Sequence, residues 1–308
     1  MESQPIRSMN KSKNIRAAVI QAGSILMDKK ASLEKALQLI ANAAKVKPGL
    51  IVFPEAFLSG YPRGLGFGAV VGSRDEAGRA LFARYHSSAV EIPGKETDAL
   101  AKAAKEAGAH LVMGVVECDK KYMSGTLYCT ILYFSPDGSI LGKHRKLKPT
   151  AAERIIWGEG KKMPPVFDTK IGKLGGLVCW ENYMPMARMA LYQQGVELYT
   201  APTADNRESW QATIRHIACE GRCFVLSCNQ YITKDLYPKE LRDLPELQNA
   251  PEPFCPGGSA IVDPMGNYLA DPLWGKEGIL TAELEMEMLV KGRFDFDVVG
   301  HYAYSSSR

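Results

Sequence analysis

The chain has 308 residues, 46% of them hydrophobic and 23% charged, with a formal net charge of +4. These proportions are ordinary for a soluble globular protein with a sizeable core. Acidic and basic residues interleave, which argues against a nucleic-acid partner; the only dense basic run is Lys143-His144-Arg145-Lys146-Leu147-Lys148. The seven cysteines are an odd number with irregular spacing and no CxxC pair, so they argue against a disulfide framework and for a reducing, cytoplasmic setting.

In chain order, residues 1–14 are polar and basic, lack the apolar stretch of a secretory signal, and read as a flexible arm. Ile15 to Gln21 is a strand pattern. Lys29 to Ala44 carries apolar residues at helical spacing and is stopped by Pro48-Gly49. Leu50 to Phe53 is continuously apolar, the mark of a strand covered on both faces, and runs into Pro54-Glu55. Ser59 to Ser73, rich in glycine and aromatics, fits no regular element and reads as a binding loop.

A helix–Gly–strand unit then repeats. It recurs at Asp98–Ala107, Gly108 and His110–Val116; at Ala187–Gln194, Gly195 and Val196–Thr200; and at Ser209–Glu220, Gly221 and Cys223–Ser227. Together with the first pair these predict an α/β layered fold. Hairpins are expected around Ser135-Pro136-Asp137-Gly138 and Asp263-Pro264-Met265-Gly266. Lys234 to Pro256 reads as a lid or a mobile surface excursion. No low-complexity linker divides the chain, so 15–308 reads as one domain. No apolar run is long enough to cross a bilayer.

The stretch Lys173-Leu174-Gly175-Gly176-Leu177-Val178-Cys179-Trp180-Glu181-Asn182 predicts a buried strand, a sharp turn and a helix, with Cys179 at the elbow. Nucleophiles are presented this way because free N–H groups beside the turn can hold an oxyanion. Glu55 and Lys146 also sit at strand ends, and strand ends in α/β sheets converge on a shared crevice. A partly desolvated carboxylate is a usable base for a thiol, and a lysine can stabilise developing charge. Taken singly, the three read more readily as a loop acid, a solvated cation and a core thiol.

Together and in this order, Phe53-Pro54-Glu55-Ala56-Phe57, Arg145-Lys146-Leu147-Lys148-Pro149-Thr150 and Val178-Cys179-Trp180-Glu181-Asn182 resemble the nitrilase, or carbon–nitrogen hydrolase, superfamily. Tyr61-Pro62-Arg63-Gly64, Glu153-Arg154-Ile155-Ile156-Trp157-Gly158-Glu159-Gly160 and Gly300-His301-Tyr302 point to its plant and bacterial nitrilase branch. So does Cys179-Trp180-Glu181-Asn182, since amidase branches usually differ after the cysteine. The resemblance runs from about Ile15 to Tyr302. It implies a four-layer α-β-β-α sandwich with a Glu-Lys-Cys triad: Glu55 as base, Lys146 as cation and proton donor, Cys179 as nucleophile. Glu153 matches a second family glutamate near the lysine, and is also readable as a helix N-terminal acid.

The implied reaction converts a small-molecule nitrile to a carboxylic acid and ammonia through a Cys thioimidate and thioester. It requires no metal or organic cofactor. An amidase or nitrile-hydrating enzyme of the same superfamily is the alternative, and an inactive assembly subunit a more distant one. Pairing into a homodimer or higher oligomer is expected. The backbone N–H of Trp180 is the expected oxyanion donor, and Trp180, Tyr61 and Trp157 are candidate pocket walls. His216, Cys219 and Cys223 share a helical spacing that could hold a metal, but reads better as a helix packing its small and polar residues on a sheet. His144 reads as structural; Cys118, Cys129, Cys228 and Cys255 as core or loop thiols.

Overall fold

The structure, a computed structural model, describes residues 14–121 and 125–303; the arm expected at 1–14 lies outside them except for Asn14. The first half of the chain forms β1 (Ile15–Gln21), α1 (Lys29–Ala44), β2 (Leu50–Val52), β3 (Ala69–Val70), β4 (Ser73–Arg74), α2 (Glu76–Ser87), α3 (Lys95–Ala107), β5 (His110–Asp119), β6 (Thr126–Phe134) and β7 (Ile140–Arg145). The second half forms β8 (Val166–Thr169), β9 (Gly172–Gly176), α4 (Pro185–Gln193), β10 (Leu198–Thr203), α5 (Glu208–Gly221), β11 (Phe224–Asn229) and β12 (Tyr231–Ile232). It ends with α6 (Pro245–Gln248), β13 (Cys255–Val262), β14 (Tyr268–Trp274), β15 (Gly278–Leu284) and α7 (Glu287–Gly292).

One sheet has the order β15-β1-β2-β5-β6-β7, the other β12-β13-β11-β10-β9-β8 with β14 on β13. In each, parallel strands lie at the centre: β1, β2 and β5 in the first, β9, β10 and β11 in the second. Side chains alternate along them and divide the interior into three apolar layers. Val19, Val52, Val112 and Ile131 of the first sheet meet Leu198, Phe224, Leu226 and Ile261 of the second in the middle layer. Ala18, Ile20, Ile51 and Leu111 pack outward on Ala36, Ile40, Leu100 and Ala104 of α1 and α3. Tyr199, Ala201 and Val225 pack outward on Leu191, Trp210, Ile214 and Ile217 of α4 and α5. The result is the four-layer α-β-β-α sandwich. Both faces of the central strands are covered, which is why Leu50–Phe53 is unbroken apolar sequence. Cys228 bridges the layers, its thiol donating to Ile20 O at 3.1 Å.

Several elements differ from expectation. The strand before Cys179 ends at Gly176, and Cys179 opens a 3-10 turn instead of closing a strand. Helix α2 was not predicted; it buries only Gly78 and Tyr85 and so writes no apolar stripe into the sequence. Strand β15 was not predicted either; as a half-exposed edge strand it pairs with β1 from Ile15↔Leu284 to Gln21↔Gly278. At the end of α5 the left-handed residue is Arg222, not Gly221. Gly221 serves close packing instead: a Cβ there would lie 2.3 Å from the Tyr192 ring. His216 faces solvent and pairs with Glu220 at 3.6 Å, while Cys223 is fully buried beyond the helix end, so the expected common packing face does not exist.

The two irregular segments pack on one another. Tyr237 donates to Arg63 O at 2.7 Å, Gly66 N–H donates to Glu246 at 3.2 Å, and Leu241 and Leu247 are buried. Lys234–Pro256 is therefore a layer laid over the Tyr61–Phe67 loop, which places that loop beside the strand ends.

Candidate active site

Glu55 follows β2, Lys146 follows β7, and Cys179 lies beyond β9. Each is delivered by a tight local conformation. Ala56, next to Glu55, has φ +49; Ala151, two residues before Glu153, has φ +46; Cys179 itself has φ +51. Left-handed backbone costs a non-glycine residue roughly 1–2 kcal/mol, so three such residues in the loops that build one site are held there by their surroundings. The backbone around Glu55 crosses directly over Gly114 of β5. A Cβ at Gly114 would lie 2.0 Å from Pro54 O, so any side chain there would displace the glutamate.

Lys146 and Glu55 are fully buried and Glu153 nearly so. Lys146 Nζ donates to Glu55 Oε1 and to Glu153 Oε2, both at 2.7 Å. A buried ammonium loses several kcal/mol of hydration, and two carboxylates at contact distance offset that loss. Glu153 Oε2 also accepts from the Thr150 N–H at 2.7 Å and its Oε1 from the Tyr61 hydroxyl at 2.8 Å. Glu153 is thus both the N-terminal acid of a 3-10 turn (Ala151–Ile155) and a partner of the lysine, as its two sequence readings allowed. On Glu55, Oε1 takes a second donor, the Cys129 thiol at 3.4 Å, whereas Oε2 is buried with no partner among the described residues. The free proton-accepting position of this carboxylate is therefore Oε2.

Cys179 shares a cavity of about 220 Å3 with Tyr61, Arg63, Thr150, Glu153, Trp180 and Asp205. A neighbouring cavity of about 330 Å3, walled by Tyr61, Arg63, Glu153 and Trp157 among others, adjoins it. Burial, with the Glu55 charge next in weight, pushes the Cys179 thiol up to about 12, while Lys146 pulls the other way. Burial also raises the Glu55 carboxyl, against the opposing pull of Lys146, and Glu153 raises it further. Burial works to lower Lys146, but the negative groups around it, Glu55 foremost, hold it well above the usual lysine value. Burial therefore favours the protonated form of the thiol, the surrounding negative groups favour the charged form of the lysine, and the Glu55 carboxyl has a raised proton affinity. The thiol needs a base to become a thiolate, and Glu55 has one free oxygen.

The aromatic candidates separate. Tyr61 and Trp157 meet edge to face at 5.8 Å, and the Trp157 ring lies 5.7 Å from Lys146 Nζ. Trp180 is 41% exposed at the cavity wall; its Nε1 donates to Asp205 at 2.8 Å and the Arg207 guanidinium lies 4.7 Å over its ring. Burial raises the Asp205 carboxyl, but hydrogen bonds from Arg207 outweigh it and hold the group below its ordinary value.

The sequence reading missed three groups. Thr203, whose hydroxyl donates to Cys179 Sγ at 3.3 Å, ends β10 three residues beyond the Thr200 at which the sequence pattern stops the strand, so the strand-end rule did not reach it. Cys129 was out of reach as well, since nothing in its spacing distinguishes it from other core thiols. The third is the Glu181 carboxylate, which meets His144 Nε2 at 3.1 Å and accepts from the N–H groups of Leu147 and of Val178, the latter at 2.7 Å. It ties the residues flanking Lys146 to the turn that carries Cys179. The remaining cations of the basic run are also matched: Lys143 and Arg145 by Glu117, Lys148 by Glu159.

Comparison with known proteins agrees with this architecture. The family model described as carbon-nitrogen hydrolase matches residues 16–294. An aliphatic nitrilase of Sinorhizobium fredii (strain HH103) is 50% identical over 291 residues, covering 94% of this chain and 92% of that protein. The bifunctional nitrilase/nitrile hydratase NIT4A of Lupinus angustifolius is 49% identical over 294 residues, covering 94% and 83%. Among solved structures, Saccharomyces cerevisiae Nit3, a member of branch 10 of the nitrilase superfamily, superposes with a TM-score of 0.75 at 25% identity, covering 94% of this chain and 97% of that one. With that agreement along nearly its whole length, the chain belongs to the carbon-nitrogen hydrolase family, on the branch of the plant and bacterial nitrilases.

Proposed function

We propose that the chain is a nitrilase, converting a nitrile to the carboxylic acid and ammonia, with Cys179 as nucleophile, Glu55 as general base, Lys146 as proton donor and Glu153 as the group that holds Lys146. The observation that supports this reading is the buried Glu55–Lys146–Glu153 cluster, whose charges bear on the Cys179 thiol at the wall of a small cavity. A nitrile carbon is a weak electrophile, and a soft thiolate suits it. Glu55 Oε2 takes the Cys179 proton; the sulfur bonds to the nitrile carbon; Lys146 protonates the nitrogen, giving a thioimidate. Water activated by Glu55 adds to that carbon. Departure of ammonia leaves a thioester, which a second water hydrolyses to the acid. The Lys146 ammonium and the Trp180 N–H are the groups assigned to the developing negative charge.

If sulfur departs before nitrogen, an amide is released instead. The lupin relative, named as both nitrilase and nitrile hydratase, favours this as a second outcome at the same site. The same reading has the chain paired with a second copy and working in the cytoplasm, in keeping with seven unbridged cysteines. A panel of aliphatic, aryl and arylaceto nitriles, with ammonia, acid and amide measured and Cys179→Ala as the blank, tests it. Acid and ammonia in equal amounts are expected with at least one nitrile. No turnover of any nitrile by the wild type would refute it.

A further inference from the structure

Thr203 is the last residue of β10, fully buried, and held in register against Asn229 of β11. A β-branched side chain in a central strand has little rotamer freedom, so its hydroxyl is fixed in place. That hydroxyl accepts from the Asp205 N–H at 2.9 Å and lies 3.3 Å from Cys179 Sγ. With the backbone N–H supplying one bond, the single hydroxyl proton remains for the sulfur. The backbone that carries the sulfur is held as well, because Asn182 Nδ2 donates to the Cys179 carbonyl at 2.7 Å and to the Leu177 carbonyl at 3.2 Å. This donor lies outside the Glu55–Lys146–Glu153 cluster.

We propose that the Thr203 hydroxyl is a further catalytic group, a fixed hydrogen-bond donor to the Cys179 sulfur that stabilises it as a thiolate and so helps set the split between acid and amide products. The part concerning the thiolate is independent of substrate; the part concerning products rests on the nitrilase reading above. In the attack the S–H bond breaks, its proton goes to Glu55, and the sulfur's electron pair forms the C–S bond. In the tetrahedral adduct formed by water two bonds compete. Breaking C–N sends the pair out on nitrogen, which leaves as ammonia once protonated and gives the thioester. Breaking C–S returns the pair to sulfur and gives the amide. A donor on the sulfur is strongest when the sulfur is an anion, so it assists both the attack and C–S cleavage. The hydroxyl therefore tilts the competition toward amide, against the carboxylates that favour departure of a charged nitrogen.

The test uses the full chain as wild type, Thr203→Val and Thr203→Ser. The rate of alkylation by iodoacetamide at the peptide bearing Cys179 is followed by mass spectrometry at fixed pH. Loss of one hydrogen bond to a charged sulfur is expected to raise the thiol midpoint by about one pH unit, read below that midpoint as roughly tenfold slower alkylation in Thr203→Val. Thr203→Ser, which keeps the hydroxyl, is expected to follow the wild type. With a nitrile that yields both products, Thr203→Val is expected to lower the amide-to-acid ratio several-fold. Wild-type alkylation by a folded Thr203→Val, or equal slowing in Thr203→Ser, overturns the proposal. If Thr203→Val does not fold, Thr203→Ala, which removes atoms and adds none, carries the same expectation. A wild type that turns over no nitrile sinks the nitrilase reading, while the alkylation comparison still decides the role of Thr203.

Discussion

Replacing Glu153 by glutamine removes one charge from the site and almost nothing else. Lys146 Nζ and the Thr150 N–H both donate to Oε2 at 2.7 Å, and the Tyr61 hydroxyl donates to Oε1 at 2.8 Å. A glutamine carbonyl in the place of Oε2 keeps the first two bonds. Its NH2 then faces the Tyr61 hydroxyl, which can turn to accept. The substitution is thus a test of charge with the packing preserved. A departing nitrogen that carries positive charge about 5 Å from a carboxylate gains ~3 kcal/mol at an effective dielectric of ~20. Lys146 cancels part of that field, and keeping about half gives ~1.4 kcal/mol, a tenfold change in partition. Glu153→Gln is therefore expected to raise the amide-to-acid ratio about tenfold. It should also make the Cys179 thiol easier to alkylate, because the Glu153 charge is one of those that raise it. The assay quantifies acid, amide and ammonia from one nitrile under single-turnover conditions. A folded variant with an unchanged product ratio would show that Glu153 is only a scaffold for Lys146.

Three further substitutions bear on the same structure. Glu55→Gln keeps an acceptor for Lys146 but cannot take a proton, so kcat should fall about 10²–10⁴-fold while Cys179 remains alkylatable; a loss of less than tenfold would assign the base elsewhere. Glu181→Ala strips His144, the Leu147 N–H and the Val178 N–H of a buried acceptor, and a loss of about 3 kcal/mol or more is expected by denaturant titration; a change below about 1 kcal/mol would mean the turn does not depend on this tie. Glu117 is pushed up by burial, but hydrogen bonds from Arg145 and Lys143 outweigh that and hold its carboxyl below the ordinary value. Its folded-state pKa is depressed, so its contribution is present above the unfolded carboxyl pKa of about 4 and is lost as pH falls through the folded value. The stability gap between wild type and Glu117→Gln should narrow in acid, and a gap that widens below pH 4 would contradict the pairing.

The sequence by itself determined the layering and the order of the main strands and helices. Leu50–Phe53 is apolar at every position because β2 is covered on both faces, and helix–Gly–strand repeats leave few other ways to bury such strands. It also carried three ordered motifs, and Glu55, Lys146 and Cys179, which follow β2, β7 and β9, come close enough for the charges of the first two to act on the thiol of the third. What it did not carry depends on distance across the two sheets. Helix α2 and strand β15 bury too few side chains to leave a pattern. Cys129 is one thiol among seven until the fold sets it 3.4 Å from Glu55 Oε1. Thr203 is an ordinary strand residue until the left-handed turn at Cys179 brings a sulfur to its hydroxyl. Periodicity and spacing report which face a residue occupies. Which atom it touches is decided by packing between elements far apart in the chain, and in this site that packing leaves Glu55 Oε2 without a partner among the described residues while giving the Cys179 sulfur a donor.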